Sequence, residues 1–340
     1  MTGDRVRTSL AHREPDVLPV DFGGTFVTGI HVSCVAALRR HYGLGDEPVR
    51  VIDPGQMLGE IGHDLKRIMG IATECVVRRM TRFGFPLEDW KPWRMYDGLE
   101  VLVPGGFEVT LDENGDTLLF PQSDPSAPPS ARMPKDGYFF DSIVRQEPID
   151  EEKLDPSDNL EEYKPVSEAD LEFLEREMHR AAATGRAVVA SFGGTALGDI
   201  ALVPGVGLKY PKGIRDVTEW YVSTRSRRDY IHKVFDGQCE VAIANLKRIA
   251  AFARGARMAS IFHLPEYVQA GGLLSYGPDR NDLFRRAADY VDRILKGARP
   301  ADLPVEQPVK YELTINMATA RQIGLIVPSL VLAQAAELVE

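Results

Sequence analysis

Short apolar runs ending in glycine-bearing polar turns set the pattern of the first 80 residues. Val17 to Val20 predicts a strand that ends at Asp21 and opens into Phe22-Gly23-Gly24-Thr25-Phe26-Val27-Thr28. Val32, Val35, Ala36 and Leu38 recur at helical spacing, which predicts a helix over 32–42 closed by Gly43. A second strand over 49–52 stops at Asp53-Pro54-Gly55, followed by a helix over 56–69 closed by Gly70 and a third strand over 74–79. A short helix over 5–13, stopped by Pro15, precedes them all. Strand followed by helix, with a polar residue at each strand's mouth, is the rhythm of a parallel α/β protein.

The rhythm then breaks. From 95 to 120 the chain alternates polar and apolar residues around Asp97-Gly98, Gly105-Gly106 and Asn114-Gly115, which predicts an inserted β meander. Prolines between 121 and 134 mark an extended connection, and 137–141 reads as a short strand. The acidic, proline-punctuated region within 145–166 reads as a solvated linker. Ser167 with Asp170 opens a helix that runs to Thr184. The strand over 187–192 then delivers Gly193-Gly194-Thr195, repeating the tetrapeptide Phe22 to Thr25. A long helix over 226–253, strands over 258–262 and 309–315, a helix over 282–296 and a last helix opening at Pro328 complete the chain. About six βα beats are present, an α/β pattern with a C-terminal βα appendix, where a closed (β/α) barrel would need eight.

Charge narrows the partners. A net charge of -10 argues against nucleic acid and against an anionic membrane surface. Cys34, Cys75 and Cys239 lie far apart and outside any CxxC pattern, so neither a disulfide framework nor a local zinc site is expected. The charged opening residues leave no room for a secretory signal, and the apolar stretch 323–336 is broken by Pro328. A cytoplasmic protein without a membrane span is the expectation, and a homo-oligomer is allowed.

Candidate chemistry sits at the strand ends. Parallel strands bring these ends to one face, so Asp21, Asp53 and His31 are the catalytic candidates. Phe22, Gly23, Gly24, Thr25, Thr28, Gly193, Gly194 and Thr195 are the ligand-binding candidates. The glycines let backbone N–H groups approach an anionic ligand group, while the two carboxylates suit N–H donors such as those of a pyrrole. No metal and no cofactor is expected. Trp90 and Trp93 read as packing anchors.

Two resemblances organise these readings. Ala11-His12-Arg13-Glu14-Pro15, Pro19 to Thr25, Trp90-Lys91-Pro92-Trp93, Arg132 to Asp141 and Phe192-Gly193-Gly194 resemble the uroporphyrinogen decarboxylase family over residues 1–253. That resemblance implies a (β/α) barrel, incomplete in this chain, with its site at the strand ends. It also implies either decarboxylation of a tetrapyrrole or methyl transfer from a small methylated substrate. The run Tyr267 to Pro278, continued by Arg285 to Pro308, resembles the C-terminal part of ABC transporter substrate-binding proteins over about 259–340 and implies small-molecule binding instead. A fused gene product without intact activity is the third reading.

Overall fold

The chain opens with α1 (Thr2–Leu10) and α2 (Val32–His41). The computed structural model describes residues 2–10, 13–190, 199–262, 264–299, 302–304 and 306–340. The described residues form a mixed α/β fold with several small sheets, divided between two units, 1–241 and 242–340.

In the first unit, β1 (Val49–Asp53), β2 (Leu58–Gly59), α3 (His63–Ile68), β3 (Thr73–Val76), β4 (Lys91–Arg94) and β5 (Glu100–Val103) follow α2. The sheet order is β2-β1-β5-β4, with only the β1–β5 pair parallel. These strands do not build the expected barrel. Both edges of β1 are taken, by antiparallel β2 and parallel β5, so β3 pairs instead with β10 (Ala187–Ala190) in a separate parallel sheet. The opening strand reduces to one parallel bridge, Val20 to Ile71, with Val17 and Leu18 exposed.

The helix expected over 56–69 is only half present. Met57 to Gly59 runs under α2, where a Cβ on Gly59 would stand 2.8 Å from Val35 Cγ2, and the glycine lets this short strand pass. The meander also lies later than expected, in β6 (Val109–Leu111), β7 (Thr117–Leu119), β8 (Ala131–Met133) and β9 (Asp141–Ser142), antiparallel in chain order. Asp97-Gly98 and Asn114-Gly115 do turn hairpins, whereas Gly105-Gly106 passes the chain from one sheet to the next. The core gathers Val32, Val35, Val51, Leu65, Ile71, Phe83, Phe85, Val101 and Phe107, and Trp93 packs edge-on against Phe107.

The acidic stretch is not a solvated linker. Ile149, Leu154 and Leu160 pack on Ile214, Trp220, Ile231 and Val234. Beside them the fully buried Arg215 donates to Glu162 Oε1 at 2.7 Å and to the Asp158 and Lys212 carbonyls. The acidic residues supply the acceptors that a buried guanidinium requires. The helices that follow are α4 (Glu168–Ala182), begun by the Ser167/Asp170 capping box and packed on β3 and β10, then α5 (Val217–Ser226) and α6 (Arg228–Gly255), which supply Trp220, Ile231 and Val234 to this core.

The second unit comprises the end of α6, β11 (Ile261–Phe262), α7 (Pro265–Gln269), β12 (Leu274–Pro278), α8 (Arg280–Leu295), β13 (Tyr311–Asn316), α9 (Met317–Ile323), α10 (Ser329–Ala333) and β14 (Glu337–Val339). Its sheet has the order β11-β12-β13-β14, in which β12 and β13 are antiparallel and the outer pairs parallel. Asp279 caps α8, accepting from the Asp282 N–H, and Asn316 caps α9 in the same way. In β13 the burial is concentrated in the C-terminal half, Thr314-Ile315-Asn316.

Candidate functional site

Asp21 stands where the chain leaves its bridge with Ile71. Its Oδ1 accepts from the Thr73 hydroxyl at 2.7 Å and from the Gly24 N–H at 3.1 Å. A Cβ on Gly24 would fall 2.2 Å from that same oxygen, so the turn closes only on glycine. Gly23, at φ +73°, lies against Ile61, and its N–H donates to the Thr28 carbonyl at 2.9 Å. Thr28 Oγ1 accepts from the Thr25 N–H at 3.2 Å. The loop thus bonds to itself. Gly193, Gly194 and Thr195 lie outside the described residues.

His31 and Asp53 lie on either side of Leu58, which bridges His31 and pairs in register with Asp53. The imidazole caps α2, with Nδ1 accepting from the Ser33 N–H at 3.2 Å. Nε2 then carries the proton and donates to the Tyr138 carbonyl at 2.9 Å. Asp53 Oδ1 accepts from the Gly55 N–H at 3.0 Å, and its Oδ2 accepts from the Gln56 amide at 3.3 Å. The structure therefore sets His31 and Asp53 apart, across Leu58, and places Asp21 on Thr73. Each of these groups is engaged in shaping its own turn or helix end. Thr73 and the Tyr138 carbonyl are partners that sequence reasoning missed, because both lie far along the chain from the groups they hold. Burial pushes the Cys75 thiol up to about 11, which removes the nearest nucleophile from the chemistry of neutral pH.

The second unit holds a different arrangement. At the C-terminal ends of β11 and β12 lies a cleft of about 220 Å³, lined among others by Leu264, Pro265, Ser275, Phe284, Glu312 and Thr314. Ser275 and Thr314 are direct cross-strand partners, only 2% and 3% exposed, and neither hydroxyl has a hydrogen-bond partner among the described residues. Asp279, at the cleft's rim, is held below the usual carboxylate range by the Lys310 ammonium and by the helix N–H groups it caps. Arg280 pairs with Glu266. Open crevices at strand C-termini are where α/β sheets ordinarily place ligands. The sequence signal for this site was a polar residue on each of two neighbouring strands, and the pairing register needed to join them is not local information. Among the described residues no group of three or more His, Cys, Asp or Glu side chains could hold a metal ion, and no helix is long and apolar enough to cross a membrane.

Residues 216–339 match the family model of the ABC transporter substrate binding protein. No curated protein matches the chain. Among solved structures, a conserved domain protein from Vibrio cholerae is 21% identical, with 49% of this chain and 50% of that one covered and a TM-score of 0.26. An ABC domain in complex with L-Trp from Streptococcus pneumoniae is 18% identical over 52% of this chain and 54% of that one, with a TM-score of 0.26. A ligand-free, open substrate binding protein with adhesive properties from Clostridium difficile is 14% identical over 51% of each chain, with a TM-score of 0.25. The chain spans about half the length of these structures, and scores this low assign no common overall fold. Nothing among these matches supports the uroporphyrinogen decarboxylase resemblance of residues 1–253.

Proposed function

We propose that the chain captures a small-molecule ligand in the cleft between β11, β12, β13 and α8, as a relative of ABC transporter substrate-binding proteins. The observation that carries this reading is coincidence: the segment matching that family, 216–339, contains every residue that lines the cleft. Two hydroxyls on buried residues, open to the cleft and without partners among the described residues, are what a binding site looks like before its ligand arrives. Asp21, His31 and Asp53 we assign to the architecture of the first unit, because their polar atoms are already engaged by backbone and side-chain groups around them.

A thermal-shift screen of amines, amino acids, carboxylates and sugars tests the assignment on the full chain. Asn281, exposed at the start of α8 on the cleft wall, becomes tryptophan in the blocking variant Asn281→Trp. A compound that raises the unfolding temperature of the parent, but not of Asn281→Trp, supports the cleft. A ligand whose effect survives Asn281→Trp and disappears in Asp21→Asn with Asp53→Asn moves the site to the first unit. The same experiment thereby tests the decarboxylase-like alternative with a tetrapyrrole or a methylated compound in the screen.

A further inference from the structure

We propose that the ligand of this cleft is a small organic primary ammonium, held through its three N–H donors by Ser275, Thr314 and Glu312; the proposal rests on the ligand-binding reading above. The register of the β12–β13 pair places Ser275 opposite Thr314 and Gly277 opposite Glu312. Residues two apart on a strand share a face, so one face presents two hydroxyls and a carboxylate around a position that has no side chain. An ammonium offers three donors, and these are three acceptors.

Charge decides what completes the pair of buried hydroxyls. Asp279 is matched by Lys310 and Arg280 by Glu266, whereas Glu312 makes no hydrogen bond or ion pair among the described residues. Glu312 feels the Lys310 ammonium only through space, so its carboxylate oxygens keep their hydrogen-bonding capacity open to the cleft. The N-terminus of α8 would ordinarily attract an anion. Here Asp279 already fills it, accepting from the Asp282 N–H at 3.1 Å, so an incoming carboxylate or phosphate meets the Asp279 and Glu312 carboxylates rather than free N–H groups, while the Arg280 guanidinium on the wall is already paired with Glu266. A single water, with its share of about 30 Å³, would fill little of the space. Leu264, Pro265 and Phe284 give the remaining wall an apolar surface suited to a short hydrocarbon body. The cleft's 220 Å³ falls below the roughly 300–1,000 Å³ of drug-sized ligand sites, which sets the ligand's scale.

Isothermal titration of the full chain with n-butylammonium chloride, sodium butyrate and magnesium chloride tests this. Butylammonium should bind and the two salts should give no binding heat. Glu312→Gln, an exposed and nearly isosteric change, should weaken the amine roughly ten- to hundredfold, and Thr314→Val should weaken it several-fold. Butyrate or magnesium binding as tightly as the amine would overturn the proposal, as would unchanged amine affinity in a folded Glu312→Gln. If the thermal-shift screen yields a ligand blocked by Asn281→Trp while butylammonium gives no heat, the ammonium class is wrong and the cleft stands. If the screen yields none and butylammonium is silent as well, both fall.

Discussion

Asp21 follows directly on the Val20–Ile71 bridge, and Ser275 lies near the start of β12, where it pairs with Thr314. Their surroundings differ. Asp21 is exposed yet has two donors, from Thr73 and Gly24, while Ser275 is almost wholly buried and has none. The first unit uses its conspicuous polar residues to fix turns. In the second, inconspicuous hydroxyls stand unpaired beside open volume. Position on a strand is thus a weaker guide to ligand contact than whether a group's hydrogen bonds are already made.

The contrast predicts a graded series of responses to substitution. Arg215→Met should have the largest effect, about 3–5 kcal/mol, because it strips Glu162 of its guanidinium in a region where burial already pushes that carboxyl up. A lower urea midpoint with unchanged slope is the expected result. Asp21→Ala should cost about 1–2 kcal/mol through its two lost bonds, whereas Asp21→Asn, which keeps an acceptor for both donors, should cost less. Thr314→Val should fall within about 0.5 kcal/mol of the parent in the absence of ligand, since no bond is lost. A penalty as large as that of Asp21→Ala would erase the distinction between the two regions.

The smallest effect concerns acid. Hydrogen bonds from Lys209 and Ser126 hold Asp124 at about 2, below its ordinary 3.8. A depressed carboxyl stabilises the fold fully above its unfolded value and loses that contribution as pH falls from about 4 to about 2. Lys209→Met should therefore flatten the parent's stability curve in that window, with its loss of stability fully present at neutral pH and vanishing once Asp124 is protonated in both proteins. Asp124 keeps part of its side chain in solvent, so the difference should shrink further in high salt.

Local signals carried much of the secondary structure. Helix 32–42, the capping box at Ser167 and the helix at 282–296 were legible because spacing and cap chemistry are properties of neighbouring residues. The barrel was not, since strand 49–53 reads the same whether its neighbour is parallel or antiparallel, and pairing with Leu58-Gly59 depends on how α2 packs above it. The acidic stretch misled for a related reason. Its carboxylates suggest solvation until Arg215, more than fifty residues downstream, is seen buried against them. For the candidate sites, Asp21, His31 and Asp53 were visible as residue types. The Ser275–Thr314 pair depends on a register that no local pattern encodes.

The thiol of Cys75 gives the molecule a built-in stopwatch. At pH 8 a group titrating at about 11 is ionised in only about one molecule in a thousand, so Cys75 should alkylate far more slowly than the exposed Cys34 and Cys239. Once those two are blocked by a brief pulse of reagent, the remaining slow labelling times how often the partly exposed Cys75 of β3 presents a thiolate to solvent.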